Sequence, residues 1–287
     1  MDQTTLILGA HLSIGKGLDQ ALYRAAEMGN NALQIFTKNA STWREKVLTE
    51  KQVADFRTAM EKTGIRAIAA HTSYLINIAG ADMEKTAMSV EALYYELIRC
   101  EQLGIPWLVL HPGAHLGDGD DVGIRRVSDN LNRIFERLKG GKARILLENT
   151  AGQGSALGHR FEQLAAMGDG VEADDRVGFC LDTSHLFAAG YDIATSDGYA
   201  ATLAGFDRIV GLARLHLVHV NDSKKPLGSR VDRHEHIGEG YIGEAGFSLL
   251  INDPRLALIP KIIETPKERD GEDADPINLA RLRAMAM

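Results

Sequence analysis

Along the chain, short apolar runs alternate with longer stretches whose apolar positions recur at helical spacing. Eight runs of strand length stand out: Leu6–Ala10, Ala32–Phe36, Ile65–Ala70, Trp107–Leu110, Ala143–Leu147, Val177–Leu181, Leu212–Val218 and Leu258–Ile263. Runs this short and this uniformly apolar read as strands buried on both faces of a parallel sheet. Between them, Leu18, Ala21, Leu22 and Ala25 keep the i, i+3, i+4, i+7 spacing of one helix face, as do Val90, Leu93, Tyr94 and Leu97. A further stripe runs through Val127, Leu131, Ile134, Phe135 and Leu138. The last helix is predicted to open with Asp275 as its N-cap and Pro276 at its first position, with Leu279, Leu282 and Ala286 on its apolar side. Eight alternating units predict one domain over residues 1–287, a (β/α)8 TIM barrel with its chemistry at the C-terminal face of the strands. The alternative is a doubly wound open sheet. Gly15 and Gly17 follow the first run as in its phosphate turn, but Gln20 stands where the third glycine belongs.

The residues that close the runs are of a restricted kind. Ala70 is followed by His71, Leu110 by His111, Leu147 by Glu148, Leu181 by Asp182, Val218 by His219 and Ile263 by Glu264. The intervals are 40, 37, 34, 37 and 45 residues, about one βα unit each. A single His after a strand is most simply a hydrogen-bonded residue, and a single carboxylate the partner of an Arg. Six in register at one barrel mouth would be costly to desolvate unless cations held them. His185, three positions after Asp182, and the Asp232-x-His234 pair extend the set to five His and four carboxylates. Nitrogen and oxygen donors without thiolate suit Zn²⁺, Mn²⁺ or Fe²⁺ in an open catalytic site, and nine exceed what one ion accepts.

Composition narrows the setting. Of 287 residues, 45% are hydrophobic and 25% charged, which excludes disorder and fibrous structure. No apolar stretch approaches the ~18 residues of a membrane span, and MDQTTLILGAH lacks a secretory layout. Only Cys100 and Cys180 occur, so a disulfide framework is not expected and a cytoplasmic location is. A net charge of −7 opposes a generic nucleic-acid binder. Two or three divalent ions would bring that total to about −3 to −1 and concentrate positive potential in the mouth.

The motifs GAHLSIGKGL (9–18), HTSYLINIA (71–79), LHPGAH (110–115), LENTAGQGS (147–155), CLDTSH (180–185), HVNDSK (219–224), GSRVDRHEHIGEG (228–240) and ETP (264–266) resemble, in order, those of the endonuclease IV family. The family comprises trinuclear zinc endonucleases that act on apurinic/apyrimidinic (AP) sites in double-stranded DNA. The resemblance implies three Zn²⁺: His71, His111 and Glu148 on the first, Glu148 bridging to a second completed by Asp182, His219 and Glu264, and His185, Asp232 and His234 on the third. It implies hydrolysis of the phosphodiester 5′ to the AP site, leaving a 3′-hydroxyl, with a metal-bound hydroxide as nucleophile and Glu148 and Glu264 as the catalytic carboxylates. It also makes Tyr74 and Leu75 a wedge that fills the stack vacated by an extruded nucleotide. Lys224, Lys225, Arg230 and Arg233 become phosphate contacts.

Lys38 and Trp43 lie on the loop after the second run, which the family also uses on DNA. There KNASTW places Ala40 to Thr42 where the family pattern resembles Gln-Arg-Gln, so one basic contact is missing. Gly152 and Gly154 around Gln153 read as a loop turn. His11 and Asn39 should face the mouth as partners of a ligand or of substrate. His115, His159, His216 and His236 are read as non-ligands. No membrane or protein partner is inferred. Two other functions compete: a single-metal sugar isomerase or epimerase, for which Glu148, Asp182, His219 and Glu264 alone would suffice, and a non-catalytic binder of damaged DNA shaped by zinc.

Overall fold

The computed structural model describes residues 6–45 and 47–287. The first five residues, included above in the reading for a secretory layout, lie outside the described residues. Seven strands, β1 (Leu8–Leu12), β2 (Ala32–Phe36), β3 (Ala67–His71), β4 (Trp107–Leu110), β5 (Arg144–Glu148), β6 (Val177–Asp182) and β7 (Leu215–His219), run parallel. A two-stranded antiparallel hairpin follows, β8 (Asp222–Ser223) with β9 (His234–Glu235). The strand β10 (Lys261–Ile263) then pairs with both β7 and β1 and closes the barrel. Closure rules out the open doubly wound sheet.

Helices α1 (Leu18–Glu27), α2 (Glu50–Thr63), α3 (Met83–Leu103), α4 (Asp120–Arg137) and α5 (Phe161–Asp169) follow β1 to β5 in turn. The short α6 (Thr183–Ala189) and then α7 (Ser196–Ile209) follow β6. The helices α8 (Gly243–Ile251) and α9 (Asp275–Ala284) complete the ring. The face of α1 buries Leu18, Ala21, Leu22 and Ala25, the four residues its spacing predicts. Two expectations about α9 are corrected. Asp275 is the first helical residue, not the N-cap, and its carboxylate binds Lys267 Nζ at 2.9 Å. Ala286 lies past the helix end and is exposed, so the buried stripe is Leu279 and Leu282. The last two strands also begin later than expected. Leu212–Arg214 form a 3-10 turn, and Leu258 is exposed ahead of Pro260, which has no N–H to give a ladder.

One apolar core fills the space between strands and helices; a second, smaller one lies inside the barrel. The inner core comprises Ala32, Ala69, Val109, Leu146, Cys180, Leu217 and Ile262, one from each strand but β1, where Gly9 takes the position. Strand side chains alternate between faces, so the residue two positions on points inward one layer higher. From those eight positions that next layer is His11, Gln34, His71, His111, Glu148, Asp182, His219 and Glu264. A register shift at Phe179/Cys180 keeps Leu217 and His219 opposite Cys180 and Asp182. The apolar layer is thus the floor of a polar mouth at the C-terminal ends of the strands.

Candidate metal centre

Within the mouth, three groups of side chains each bring ligand atoms within 4.8 Å of one another: His71, His111 and Glu148; Glu148, Asp182, His219 and Glu264; and Asp182, His185 and His234. Glu148 is shared by the first two, and Asp182 by the second and third. Asp232 stands beside the third, its carboxylate 3.1 Å from His185 Nε2 and 3.4 Å from His234 Nε2. All nine sequence-selected donors therefore converge, and Asp182 reaches further than the sequence reading assigned it.

Most of the imidazoles are anchored through one nitrogen, which sets the other free. His71 Nδ1 donates to Thr72 O (2.8 Å), His185 Nδ1 to Asn149 O (3.0 Å) and His234 Nδ1 to Glu264 O (3.1 Å). A carbonyl oxygen only accepts, so these contacts place the proton on Nδ1 and aim an Nε2 lone pair into the cluster. His219 is inverted. Its Nε2 donates to Gln34 Oε1 (2.8 Å), leaving Nδ1 3.0 Å from Glu148 Oε1 and 3.3 Å from Glu264 Oε2. Among the described residues the buried Nε2 of His234 has no hydrogen-bond partner, a donor atom left for a bound ion. These are the features of a divalent-cation site, and the residues fit one.

Two asparagines complete the frame. Asn221 Nδ2 donates to Asp182 Oδ2 (2.6 Å) while its oxygen accepts Glu264 N–H (2.7 Å). Asn149 exchanges hydrogen bonds with the Asp182 backbone. Burial alone would push the Glu148 carboxyl up, but His111 and His219 beside it hold it well below the usual range. Burial would lower His185 and His219; Asp182, Asp232 and Glu148 around the first, and Cys180, Glu264 and Glu148 around the second, outweigh it and raise both well above ordinary imidazole. Without metal, protons on these two imidazoles supply positive charge beside the carboxylates.

The third group depends on a loop held by Asp222. Its Oδ1 accepts N–H from Ser223 (2.8 Å) and Ile242 (2.9 Å), and its Oδ2 from Gly238 (3.0 Å), Gly240 (3.0 Å) and Gly243 (3.3 Å). A Cβ on Gly240 would sit 2.4 Å from Ser223 O and 2.5 Å from Asp222 Oδ1, so only glycine allows this approach. The loop closed in this way carries Asp232 and His234.

Comparisons with known proteins bear on this geometry. Residues 22–285 match the family model described as a xylose isomerase-like TIM barrel. A protein named probable endonuclease 4 from Chloroflexus aurantiacus is 49% identical over 277 residues, covering 96% of this chain and 97% of that protein. The chain belongs to the endonuclease IV family. The crystal structure of endonuclease IV from Thermus thermophilus superposes with a TM-score of 0.85 at 38% identity, over 97% of this chain and 98% of that one. A 3-keto-D-glucoside 4-epimerase from E. coli, at 16% identity and a TM-score of 0.67 over 98% of this chain and 100% of that one, shares the fold alone.

The remaining family-derived residues divide. Tyr74 and Leu75, 73% and 37% exposed, stand at the edge of the mouth. The Tyr74 ring packs edge-on against Phe36 (5.5 Å between centroids). Arg233 lines the mouth, Lys224 and Arg230 are exposed on the same loop, and Lys224 Nζ lies 3.6 Å from Glu235. Lys38 is buried, its Nζ donating to Thr42 O (2.8 Å) and paired with Glu45 (3.2 Å), so it presents no free charge to DNA. His11 faces the mouth and contacts Glu264 Oε1 at 2.9 Å. Asn39 does not; it is exposed and its Oδ1 accepts Ser41 N–H. Gly152 and Gly154 both have positive φ, as a turn requires. His115, His159, His216 and His236 lie outside all three groups.

Sequence reading missed Gln34, Asn149, Asn221, Asp222 and Lys267. Gln34 carried a signal: a polar residue inside ALQIF, two positions after inward-facing Ala32. It donates to Glu264 Oε1 (2.6 Å) as well as accepting from His219. Lys267 donates to His11 O (2.7 Å) and lines the mouth. Among the described residues no helix is long and apolar enough to cross a membrane.

Proposed function

We propose that the enzyme hydrolyses the phosphodiester on the 5′ side of abasic sites in double-stranded DNA, leaving a 3′-hydroxyl, with three Zn²⁺ in its mouth. The observation that carries this reading is the convergence of nine nitrogen and oxygen donors beside an exposed aromatic-aliphatic pair. His71, His111 and Glu148 would hold one ion, Glu148, Asp182, His219 and Glu264 a second, and His185, Asp232 and His234 a third. Cations bound there supply Lewis acidity, lowering the pKa of water and neutralising charge on phosphate oxygens. The chain's own residues do the rest. Thr72 O, Asn149 O, Glu264 O and Gln34 fix the imidazole tautomers, so that each presents a lone pair. Asn221 and Gln34 orient Asp182 and Glu264. Tyr74 and Leu75 would occupy the stack that an extruded nucleotide leaves, and Arg233, Arg230 and Lys224 would track the phosphates.

The site lies in a cavity of about 420 Å³ lined by His11, Phe36, Tyr74, Arg233 and Lys267 together with ligands of all three groups. That is room for a sugar-phosphate. Sugar isomerisation at a single metal would leave His71, His111, His185, Asp232 and His234 without a task. The test is a defined AP-site duplex offered beside an intact duplex and a keto-sugar panel. Single-nick cleavage 5′ to the lesion, with a product end that a polymerase extends, is expected; turnover of a sugar without cleavage overturns the proposal.

A further inference from the structure

Away from the metal ligands, a second set of charges is buried. Glu96 and Arg99 on α3 are 1% and 3% exposed. Arg99 Nε donates to Thr37 Oγ1 (2.9 Å) and Nη1 to Glu45 Oε2 (2.5 Å), while the other oxygen of Glu45 lies 3.2 Å from Lys38 Nζ. Thr37, Lys38 and Glu45 all belong to the segment that follows β2. Glu96 Oε1, 4.0 Å from Arg99 Nη2, accepts the backbone N–H of Ser73 (3.3 Å) at the root of the loop that carries Tyr74 and Leu75. Ser73 Oγ in turn donates to Ala40 O (2.5 Å) and accepts Leu75 N–H (3.3 Å). One helix thus holds both pieces, Arg99 bonding the 37–45 segment and Glu96 the 73–75 loop, with the two side chains 4.0 Å apart as an ion pair, not a hydrogen bond.

The network is not explained by stability. Lys38, Arg99 and Glu96 are taken out of water and Glu45 only partly, and buried ion networks are commonly no better for stability than apolar packing of the same volume. Burial pushes the Glu96 carboxyl up to about 7 against the pull of Arg99 and the Ser73 N–H. A carboxyl whose pKa rises on folding has its charged form disfavoured by the fold. What such a network supplies is fixed geometry.

We propose that Glu96 and Arg99 are positioning residues for DNA, preassembling the 73–75 wedge loop and the 37–45 segment into one rigid unit in the free protein. The inference rests on the abasic-DNA reading above and adds residues that touch neither metal nor substrate. Preorganisation removes ordering cost from the binding step. Its loss should therefore weaken binding to duplex that must be distorted, and leave the metal site alone.

The test is the Glu96→Leu/Arg99→Met variant, which removes one charge of each sign and leaves the Lys38–Glu45 pair neutral. Metal content and unfolding midpoint should stay close to the parent's. The Kd for paired AP duplex should rise about tenfold, the Kd for AP duplex unpaired around the lesion less than about threefold, and amide exchange over residues 73–76 should quicken about tenfold. Added to Tyr74→Ala, the double change should cost little more, since a misplaced wedge and a missing one are the same defect. Parent-like binding to paired AP duplex, or a fully multiplicative loss with Tyr74→Ala, overturns the proposal. Should the variant not fold, Glu96→Gln and Arg99→Lys carry the same comparison. If the parent does not prefer AP duplex to intact duplex, the functional reading fails separately. Exchange at 73–76 then decides the coupling, and unchanged protection overturns it.

Discussion

Replacing Asp222 by Asn separates assembly of the third ligand group from the rest of the molecule. The change is isosteric, but it turns one of two acceptor oxygens into a donor. If the remaining oxygen keeps Ser223 and Ile242, the new NH2 faces the N–H groups of Gly238, Gly240 and Gly243, now 3.0, 3.0 and 3.3 Å from Oδ2. The opposite orientation strands Ser223 and Ile242 instead. A buried N–H left without an acceptor costs about 1–3 kcal/mol. With two or three stranded, and the low end taken because the loop reaches solvent, the penalty is about 2–3 kcal/mol. It falls on the loop bearing Asp232 and His234, because all five N–H groups that Asp222 accepts belong to residues 223–243. The variant should keep a parent-like circular dichroism spectrum, lose about one metal per chain by elemental analysis, and exchange amides over 232–243 roughly 30-fold faster, the factor that about 2 kcal/mol implies. AP cleavage should fall with the metal. An Asp222→Asn protein with the parent's full metal content and the parent's exchange over 232–243 would refute this account of the loop.

Elemental analysis of the parent after gel filtration should find about three divalent ions per chain, mostly zinc, because nine donors exceed one coordination shell; a reproducible single ion would favour the isomerase class. Loading a chelator-stripped sample at pH 7 should release protons, since His185 and His219 are held well above ordinary imidazole and stay charged through neutrality in the metal-free fold, and affinity should fall as pH falls. Calorimetry in buffers of different ionisation enthalpy reads this directly, and buffer-independent heat would contradict it. Glu148→Ala and His111→Ala should each abolish most AP cleavage while remaining folded, Glu148→Ala more severely because its carboxylate is shared by two groups; a folded Glu148→Ala protein cutting at the parent rate would sink the mechanism. Tyr74→Ala/Leu75→Ala should weaken binding to paired AP duplex by roughly 1–3 kcal/mol per lost stacking contact, with unchanged metal content, a nearly parallel salt dependence and a smaller deficit on unpaired substrate.

Much of this protein is written in local pattern. Apolar runs of strand length separated by helical stripes were enough to read eight βα units. The strand pleat carries the same pattern into the site: inward positions recur every second residue, so an inward apolar residue such as Leu146 or Ile262 implies an inward Glu148 or Glu264 one layer above. That is why the six donors that end barrel strands were readable from one sequence, while His185, Asp232 and His234 were read from their spacing beside them. What the chain could not reveal locally lies in contacts made only when the barrel closes. Gln34 meets His219 across 185 residues and Glu264 across 230, and no window of sequence links a glutamine in ALQIF to an imidazole tautomer on β7. Lys38 looked available because charged loop residues usually are; in the fold it donates to Thr42 O and pairs with Glu45. Asp222 went unread because the five backbone N–H groups that converge on it come from up to 21 residues away, and Asp182 was read as a ligand of one group although β6 brings it between two. The residue types and their facing follow from alternation along each strand, whereas the partners follow from the register and closure of the barrel, which are set by the whole chain packing at once.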